Sequence, residues 1–326
     1  MDKINRCPTT IKIKENKMKV TEDRLLRVLM LLTIGIISYL VLSGCGRSSK
    51  ITTNFIMPSA LTTKAELYSQ LIKTHQDANG FIHSDKCDSL MFTALAATRL
   101  DFSVDILAAR EDSGKWFRRP AKDCLEKGES RSTISRDMLL GLYWYIWMHK
   151  DINMAKELYA YGENTNWLMG DWSDTEGLSR VVLTPAMIST LAQMIHVMSG
   201  EDYKARHLPV PFTLQKEGYR SHLTGLHLLL RYRIFGGFTD NEYGIARDLV
   251  KREPGNPLFQ IVVGNKHNAA KILLKESLYP ADRLPSTADR CPPWLPERAI
   301  VQYGPCPSPL IEHTGGDLLF LYRVMQ

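Results

Sequence analysis

Long apolar runs separated by short polar breaks dominate the chain from about residue 58 onward. Six of these runs are apolar on nearly every side of a helix, and each opens at a residue that suits the first turn of a helix. The six openings are Asp88, Asp137, Thr184-Pro185, Ser221-His222, Asn256-Pro257 and Asp317. Alternating strand patterns are scarce. We therefore predict an all-α protein.

Amphipathic stretches with charged faces lie between the apolar runs, at residues 62–76, 102–111, 151–162, 240–252 and 266–278. A helix that is apolar on every side must be buried, and an amphipathic helix can cover it from outside. This alternation predicts an (α/α)6 toroid, or barrel of helical hairpins, in a single domain spanning 58–326. The fifth apolar run, LFQIVV, is equally compatible with a strand, and HLPVPF interrupts the outer helix expected within 200–219.

The N-terminal part has the pattern of an export signal. Residues 28–44 contain no charged residue and directly follow Arg24 and Arg27, which is the basic and then apolar order of such signals. We expect residues 1–44 to be a signal peptide, for which Met18, followed by Lys19, is a more typical start than Met1. The alternative is an uncleaved membrane anchor, because the run approaches the roughly 18 to 20 residues that span a bilayer.

The apolar run ends in Leu42-Ser43-Gly44-Cys45, which resembles the lipobox of bacterial lipoproteins. The resemblance implies cleavage before Cys45, a lipid on its thiol and a tether over 45–57 that links the membrane to the folded domain. Gly46 differs from the Asp that signals inner-membrane retention in the enteric sorting rule. We therefore expect a lipid-anchored envelope protein at the outer membrane, facing the periplasm or the cell surface.

Charge and motifs exclude several classes of function. The net charge of +6 is concentrated in residues 1–44, which hold eight basic and four acidic residues; the remainder has 33 basic and 31 acidic residues. This leaves no basic footprint for nucleic acid in the body. The sequence has no Walker loop, GxGxxG, GxSxG or HExxH motif, so it indicates no cofactor and no metal site.

Four cysteines lie in the predicted body: Cys87, Cys124, Cys291 and Cys306. An even number in an exported domain favours two disulfides. Four cysteines allow three pairings, and the shortest loops join Cys87 to Cys124 and Cys291 to Cys306. The alternative is four buried free thiols.

Two stretches of the body, SRDMLLGLYWYIW (135–147) and EHTGGDLLFLYRV (312–324), together with the helix alternation, resemble the six-hairpin glycosidase-like families. The resemblance covers roughly residues 60–326. It implies a funnel at one end of the barrel, with acids and aromatics at the openings of the inner helices. In these families such a funnel often binds carbohydrate.

Acids at the openings of inner helices are the first candidates for chemistry. Glycoside hydrolysis generally needs two carboxylates about 5 to 9.5 Å apart, and we assign Asp137 and Asp88 as the candidate catalytic pair. Ser135 would cap the helix and leave Asp137 facing the cavity, while Arg136 would pair with it. The competing interpretation is that each Asp only caps its helix.

Aromatic and polar residues near the same openings are candidates for substrate binding. Trp116 lies among polar and cationic residues on a predicted loop and would serve as a sugar platform. Arg136, His222, Asp317 and Trp144 complete the candidate binding set. For most of the aromatic helix that contains Trp144, core packing is the competing interpretation. The acidic segment 169–180, MGDWSDTEGLSR, is interpreted as a solvated loop.

Two functional hypotheses follow. The first is a carbohydrate-active or carbohydrate-binding barrel with paired carboxylates, which predicts a deep acidic and aromatic pocket. The alternative is a noncatalytic envelope lipoprotein that binds a partner protein or a glycan, which predicts engaged carboxylates and a shallow mouth. Both hypotheses depend on the prediction that the apolar helices all run in the same direction.

Overall fold

The protein is described by a computed structural model over residues 55–82, 89–99, 101–123, 133–174, 177–208, 219–284 and 316–326, with the backbone alone for 172–179 and 219. Helices make up nearly all the regular structure of these residues. All of these residues belong to one unit, Asn54–Gln326. The described part is helix-rich and has a single two-stranded sheet, so the predicted all-helical class is confirmed. None of its helices is long and apolar enough to cross a membrane.

The described residues form ten α-helices, which are numbered in chain order. They are α1 (Ser59–Lys73), α2 (Ser89–Ala96), α3 (Arg136–His149), α4 (Ile152–Asn164), α5 (Pro185–Ser199), α6 (Tyr219–Phe235), α7 (Asp240–Arg252), α8 (Pro257–Val262), α9 (Lys266–Leu273) and α10 (Gly316–Met325). The apolar runs became α2, α3, α5, α6, α8 and α10. The amphipathic stretches supplied α1, α4, α7 and α9, each with one buried face.

The six apolar helices contact one another in a closed order. Helix α2 contacts α3, then α3 contacts α5, α5 contacts α6, α6 contacts α8, α8 contacts α10, and α10 contacts α2. The amphipathic helices pack beside them: α1 on α10, α4 on α5, α7 on α6 and α8, and α9 on α8. This is the distribution expected when helices that are apolar all round need cover on every side.

Local polar groups begin several helices as the sequence suggests. The Thr184 hydroxyl accepts from the backbone N–H of Met187 at 3.3 Å, and the Asn256 amide oxygen accepts from that of Leu258 at 3.1 Å. Each cap is followed by a proline in the first turn, where the missing N–H costs nothing. These two predicted helix starts are confirmed.

Two predicted outer helices differ from the structure. Only one 3-10 turn, Ile106–Ala109, forms within 102–111, because the chain reverses at Gly114 (φ 88°) and the N–H of Phe117 donates to the Ala109 carbonyl. Helix α9 ends at Leu273 rather than 278. The buried ammonium of Lys64 binds the Tyr279 carbonyl at 2.6 Å, so tertiary contact ends the helix.

The segment interpreted as a solvated loop is a β-hairpin, so that interpretation is wrong. Strand β1 (Leu168–Asp174) pairs antiparallel with β2 (Gly177–Val182). The N–H of Thr133 donates to the Asp171 carbonyl at 2.8 Å, and the Thr133 hydroxyl accepts from the Asp171 N–H at 2.9 Å. Thr133 lies three residues before the start of α3, so a contact distant in sequence holds an acidic segment in strand form.

The apolar helices for which contacts fix a direction run in parallel. The last turns of α2 and α3 meet where the His149 ring nitrogen Nε2 lies 2.6 Å from the Ala97 carbonyl oxygen. The last turns of α6 and α10 meet where the Arg233 guanidinium donates to the Val324 carbonyl. Near its start, α6 also packs on the start of α8, because Gly225 lies against Phe259.

A buried tryptophan packs between three of these helices. Trp144 of α3 is fully buried, and its indole N–H donates to the Leu226 carbonyl of α6 at 3.2 Å. The same indole makes an edge contact with Phe320 of α10, with ring centroids 4.9 Å apart. One side chain therefore joins three of the six apolar helices across the centre.

Gly141 marks the closest approach of α2 and α3, so its replacement tests this packing. A Cβ there would lie 2.8 Å from the Met91 backbone, whereas a Cβ at Gly244 in α7 meets nothing within 4 Å. We expect Gly141→Ala to destabilise the fold by about 1–3 kcal/mol through overpacking. The control Gly244→Ala should stabilise it by about 0.5–1 kcal/mol. Denaturant unfolding measures both, and equal effects would contradict the described packing.

Candidate functional site

A small cavity lies where the first turns of α6, α8 and α10 come together. Its volume is about 20 Å3, which is room for about one water molecule. Apolar side chains of α2 form part of the wall. The lining residues are Phe92, Leu95, His222, Asn256, Pro257, Leu258, Gly316, Asp317, Phe320 and Leu321. We call this space the site cavity.

Asp317 is held in place by a tyrosine. Its carboxylate accepts a hydrogen bond from the Tyr279 hydroxyl at 2.7 Å. It lies in the first turn of α10, where the free N–H groups of the helix favour a negative charge. The predicted binding residues Asp317 and His222 therefore do line one space, although they are far apart in sequence.

His222 is buried at the start of α6, with 6% of its surface exposed. Burial lowers the pKa of His222 to about 3, against the opposing attraction of Asp317. The imidazole is consequently neutral at physiological pH. In that form one ring nitrogen donates and the other accepts, so the site cavity has a neutral polar group next to a carboxylate.

Glu253 is a second acid near the site cavity, and no motif in the sequence predicted it. The side-chain amide of Asn256, which lines the cavity, donates to the Glu253 carboxylate at 3.1 Å. Burial raises the pKa of Glu253 to about 7. The only sequence signal was the run Glu253-Pro254-Gly255-Asn256, which looks like an ordinary turn before a helix.

Asp137, the predicted catalytic acid, is not among the residues that line the site cavity. Ser135 is the N-cap residue of α3, but its hydroxyl makes no capping hydrogen bond and donates to the Asp137 carboxylate instead. The expected Arg136 pair is not formed: Arg136 is exposed and has no salt bridge within the described ranges. The Ser135 hydroxyl therefore binds the Asp137 carboxylate and does not cap the helix as predicted.

Both candidate tryptophans are core residues. Trp116 does lie outside the helices, but only 2% of its surface is exposed, and Arg118 beside it is 3% exposed. Trp144 fills the centre of the helices and is fully buried. Neither indole presents an open ring face to solvent, and stacking on a sugar needs such a face.

A buried polar network links α5, α6 and α7. The Arg231 guanidinium donates to the Glu242 carboxylate at 2.6 Å and to the Thr190 hydroxyl at 3.2 Å. That hydroxyl lies 2.9 Å from the His227 ring nitrogen Nε2, and burial lowers the pKa of His227 to about 3. Glu242 also closes the capping box of α7 with Thr239. The hydrogen bonds of this network run between helices, so the network serves to fix the register of α5, α6 and α7.

The remaining candidates lie outside the described residues. These are the predicted catalytic residue Asp88, the lipidation residue Cys45 and the four cysteines expected to form disulfides: Cys87, Cys124, Cys291 and Cys306. Within the described ranges, no group of three His, Cys, Asp or Glu side chains is arranged to hold a metal ion.

Comparison with known proteins found no protein-family model, no curated protein and no solved structure that matches this chain.

The raised pKa of Glu253 predicts a specific pH dependence of stability. The folded state holds this proton up to about pH 7, whereas an unfolded Glu loses it near 4.3. The stability that this bound proton contributes is thus complete below the pKa of the unfolded state and is lost as the pH rises through 7. We expect Glu253→Gln to match wild type at low pH and to exceed it by about 1–2 kcal/mol above pH 7, a value discounted for residual solvent contact.

Thermal unfolding of both proteins between pH 4 and 8, with the exposed-residue variant Glu66→Gln as control, checks this expectation. A constant difference between wild type and Glu253→Gln across the range would show that Glu253 is ionised at neutral pH.

Proposed function

We propose that this chain is a lipid-anchored envelope protein whose helical body binds a glycan or a protein partner at its surface without catalysing a reaction. The observation that carries the proposal is the small size of the site cavity, about 20 Å3, beside a core in which Trp144 is fully buried. Pockets for small-molecule ligands have volumes of about 300–1,000 Å3, so this cavity is too small for a sugar ring, and we assign the ligand to an outer surface.

For the body we propose the (α/α)6 toroid. Its support is the closed contact order of α2, α3, α5, α6, α8 and α10, with α1, α4, α7 and α9 packed beside them. The shared direction of the helices that meet at their last turns supports it as well. In such an arrangement the polar first turns gather at one end, which is the end we assign to partner binding.

The state of the acids also favours binding. Asp137 accepts from Ser135 and Asp317 accepts from Tyr279, so each carboxylate is engaged by a hydroxyl of its own chain. A general acid or base must instead reach a proton on the substrate. The noncatalytic hypothesis expects engaged carboxylates and a shallow mouth, and the bonds of Asp137 and Asp317 support its first part.

A carbohydrate-active enzyme is the second candidate, and one observation favours it. Asp317 lines the site cavity, and Glu253 lies one hydrogen bond from its wall with a pKa near 7. Glycosidases use one carboxyl group held protonated and one ionised. On this hypothesis the acid is Glu253 and its charged partner is Asp317.

Measuring binding and turnover on the same ligands separates the two candidates. We expect the full chain to retain oligosaccharides, including peptidoglycan fragments, or an envelope protein, without releasing reducing sugar. The variants Asp317→Asn and Glu253→Gln change the site cavity and not the outer surface of the same end, so they should then leave binding unchanged. Reducing-sugar release that is lost in Asp317→Asn, with unchanged thermal unfolding, would instead establish hydrolysis.

The lipid anchor has its own test. In bacterial cells grown with a clickable palmitate analogue, the full chain should be labelled and should fractionate with membranes. Cys45→Ala should lose the label, because it removes the lipobox thiol that accepts the lipid, and the matched control Cys7→Ala should keep it. An unlabelled wild-type chain that still fractionates with membranes would favour the uncleaved anchor.

A further inference from the structure

Four cations gather where apolar helices end, and we call this group the cationic end. Its members are Lys150 directly after α3, Arg233 in the last turn of α6, Lys266 at the start of α9 just after α8, and Arg323 in the last turn of α10. The Arg233 guanidinium donates to the Val324 carbonyl, and the Lys266 ammonium donates to the Met325 carbonyl at 2.7 Å. These carbonyls are adjacent, so the two head groups lie side by side.

Within the described residues, none of these four cations forms a salt bridge. Cations near the last turn of a helix are stabilised by its free carbonyls, which explains part of the arrangement. However, the cations also repel one another: burial and then the nearby charge of Arg233 lower the pKa of both Lys150 and Lys266. A bound anion would relieve this repulsion.

Exposed aromatic rings accompany the cations. Tyr232 and Phe235 flank Arg233 on the last turn of α6 and are 42% and 37% exposed. A third ring, the buried Trp147, has its centre 3.3 Å from the Lys150 ammonium and contributes no exposed surface. Exposed rings beside basic side chains are characteristic of surfaces that rest in the headgroup region of a membrane.

The chain from the proposed lipid reaches the body at this same end. Phe55 packs edge-on against the His267 ring, with centroids 5.1 Å apart, and its ring lies 5.7 Å from the Lys266 ammonium. The next residue, Ile56, is 83% exposed. Phe55 is the tenth residue after Cys45, so a lipid on Cys45 would hold Phe55 within about 35 Å of the membrane.

We propose that the cationic end docks on the anionic phospholipid surface to which the tether leads, with lipid phosphates bound among the four cations. Phosphate groups satisfy several N–H donors at once, and basic residues close to a membrane surface are attracted by anionic lipids. The identification of a membrane rests on the proposed lipid anchor. The docking itself requires only the cations, the exposed rings and the position of Phe55.

Amine footprinting of the full chain on vesicles tests the docking. The chain is incorporated into vesicles of phosphatidylcholine, alone or mixed with phosphatidylglycerol, and reacted with a water-soluble acetylating reagent. We expect Lys150 and Lys266 to react roughly threefold more slowly on the anionic vesicles, because bound phosphates cover them. Lys251, exposed on α7, should react equally on both. At about 1 M salt, which reduces the Debye length to roughly 3 Å, the protection should disappear.

Substitution of a neighbouring cation provides the second measurement. Arg233→Gln and Arg323→Gln should each weaken the protection of Lys150 and Lys266, and the matched variant Arg247→Gln on the exposed part of α7 should not. Equal labelling rates on the two kinds of vesicle would overturn the proposal. If inorganic phosphate in solution protected Lys150 and Lys266 equally well, the proposal that the membrane is the ligand would be overturned.

Flotation of the same samples distinguishes this proposal from the lipid anchor. A chain that floats with anionic vesicles but not with neutral ones supports docking and contradicts the anchor. A chain that floats with both kinds of vesicle but shows no difference in labelling supports the lipid anchor and overturns the docking proposal.

Discussion

Burial of the Trp144 indole between α3, α6 and α10 is the contact on which the helix arrangement depends. A helix that is apolar on every side has no surface to offer to water, so it needs neighbours all round. Six such helices in a closed contact order bury their apolar surfaces only if side chains also fill the space between the helices. Trp144 fills it, and its N–H is satisfied by the Leu226 carbonyl. The result is a body with a dense centre.

The parallel packing of α6 and α10, whose last turns meet, gives this part of the body two chemically different ends. First turns present free N–H groups and attract Asn, Asp and other acceptors, while last turns present free carbonyls and attract cations. The site cavity, with Asp317 and Asn256, belongs to the first kind. The cationic end, with Arg233 and Lys266 on the last carbonyls of α10, belongs to the second. Partner binding and membrane docking are accordingly assigned to opposite ends of the same helices.

Burial also accounts for the unusual acid and base properties near the site cavity. It lowers the pKa of His222 to about 3 and raises that of Glu253 to about 7. Both shifts favour the neutral form, because a low-dielectric surrounding penalises charge whatever its sign. Perturbed groups of this kind are found at active sites and in buried structural networks alike. The small size of the cavity favours the structural role, and the position of Glu253, one hydrogen bond from the cavity that Asp317 lines, keeps hydrolysis as the second candidate.

The amino-acid sequence by itself determined the helical class and most helix positions, because these depend on local periodicity and on caps such as Thr184 and Asn256. It also placed His222 and Asp317 at helix openings that meet. Tertiary structure decided what no local pattern carries. The hairpin of residues 168–182 exists because Thr133 holds Asp171, and α9 ends early because Lys64 binds a carbonyl beyond it. The burial of Trp116 and the pKa of Glu253 likewise depend on neighbours distant in sequence, since exposure is a property of the packed molecule.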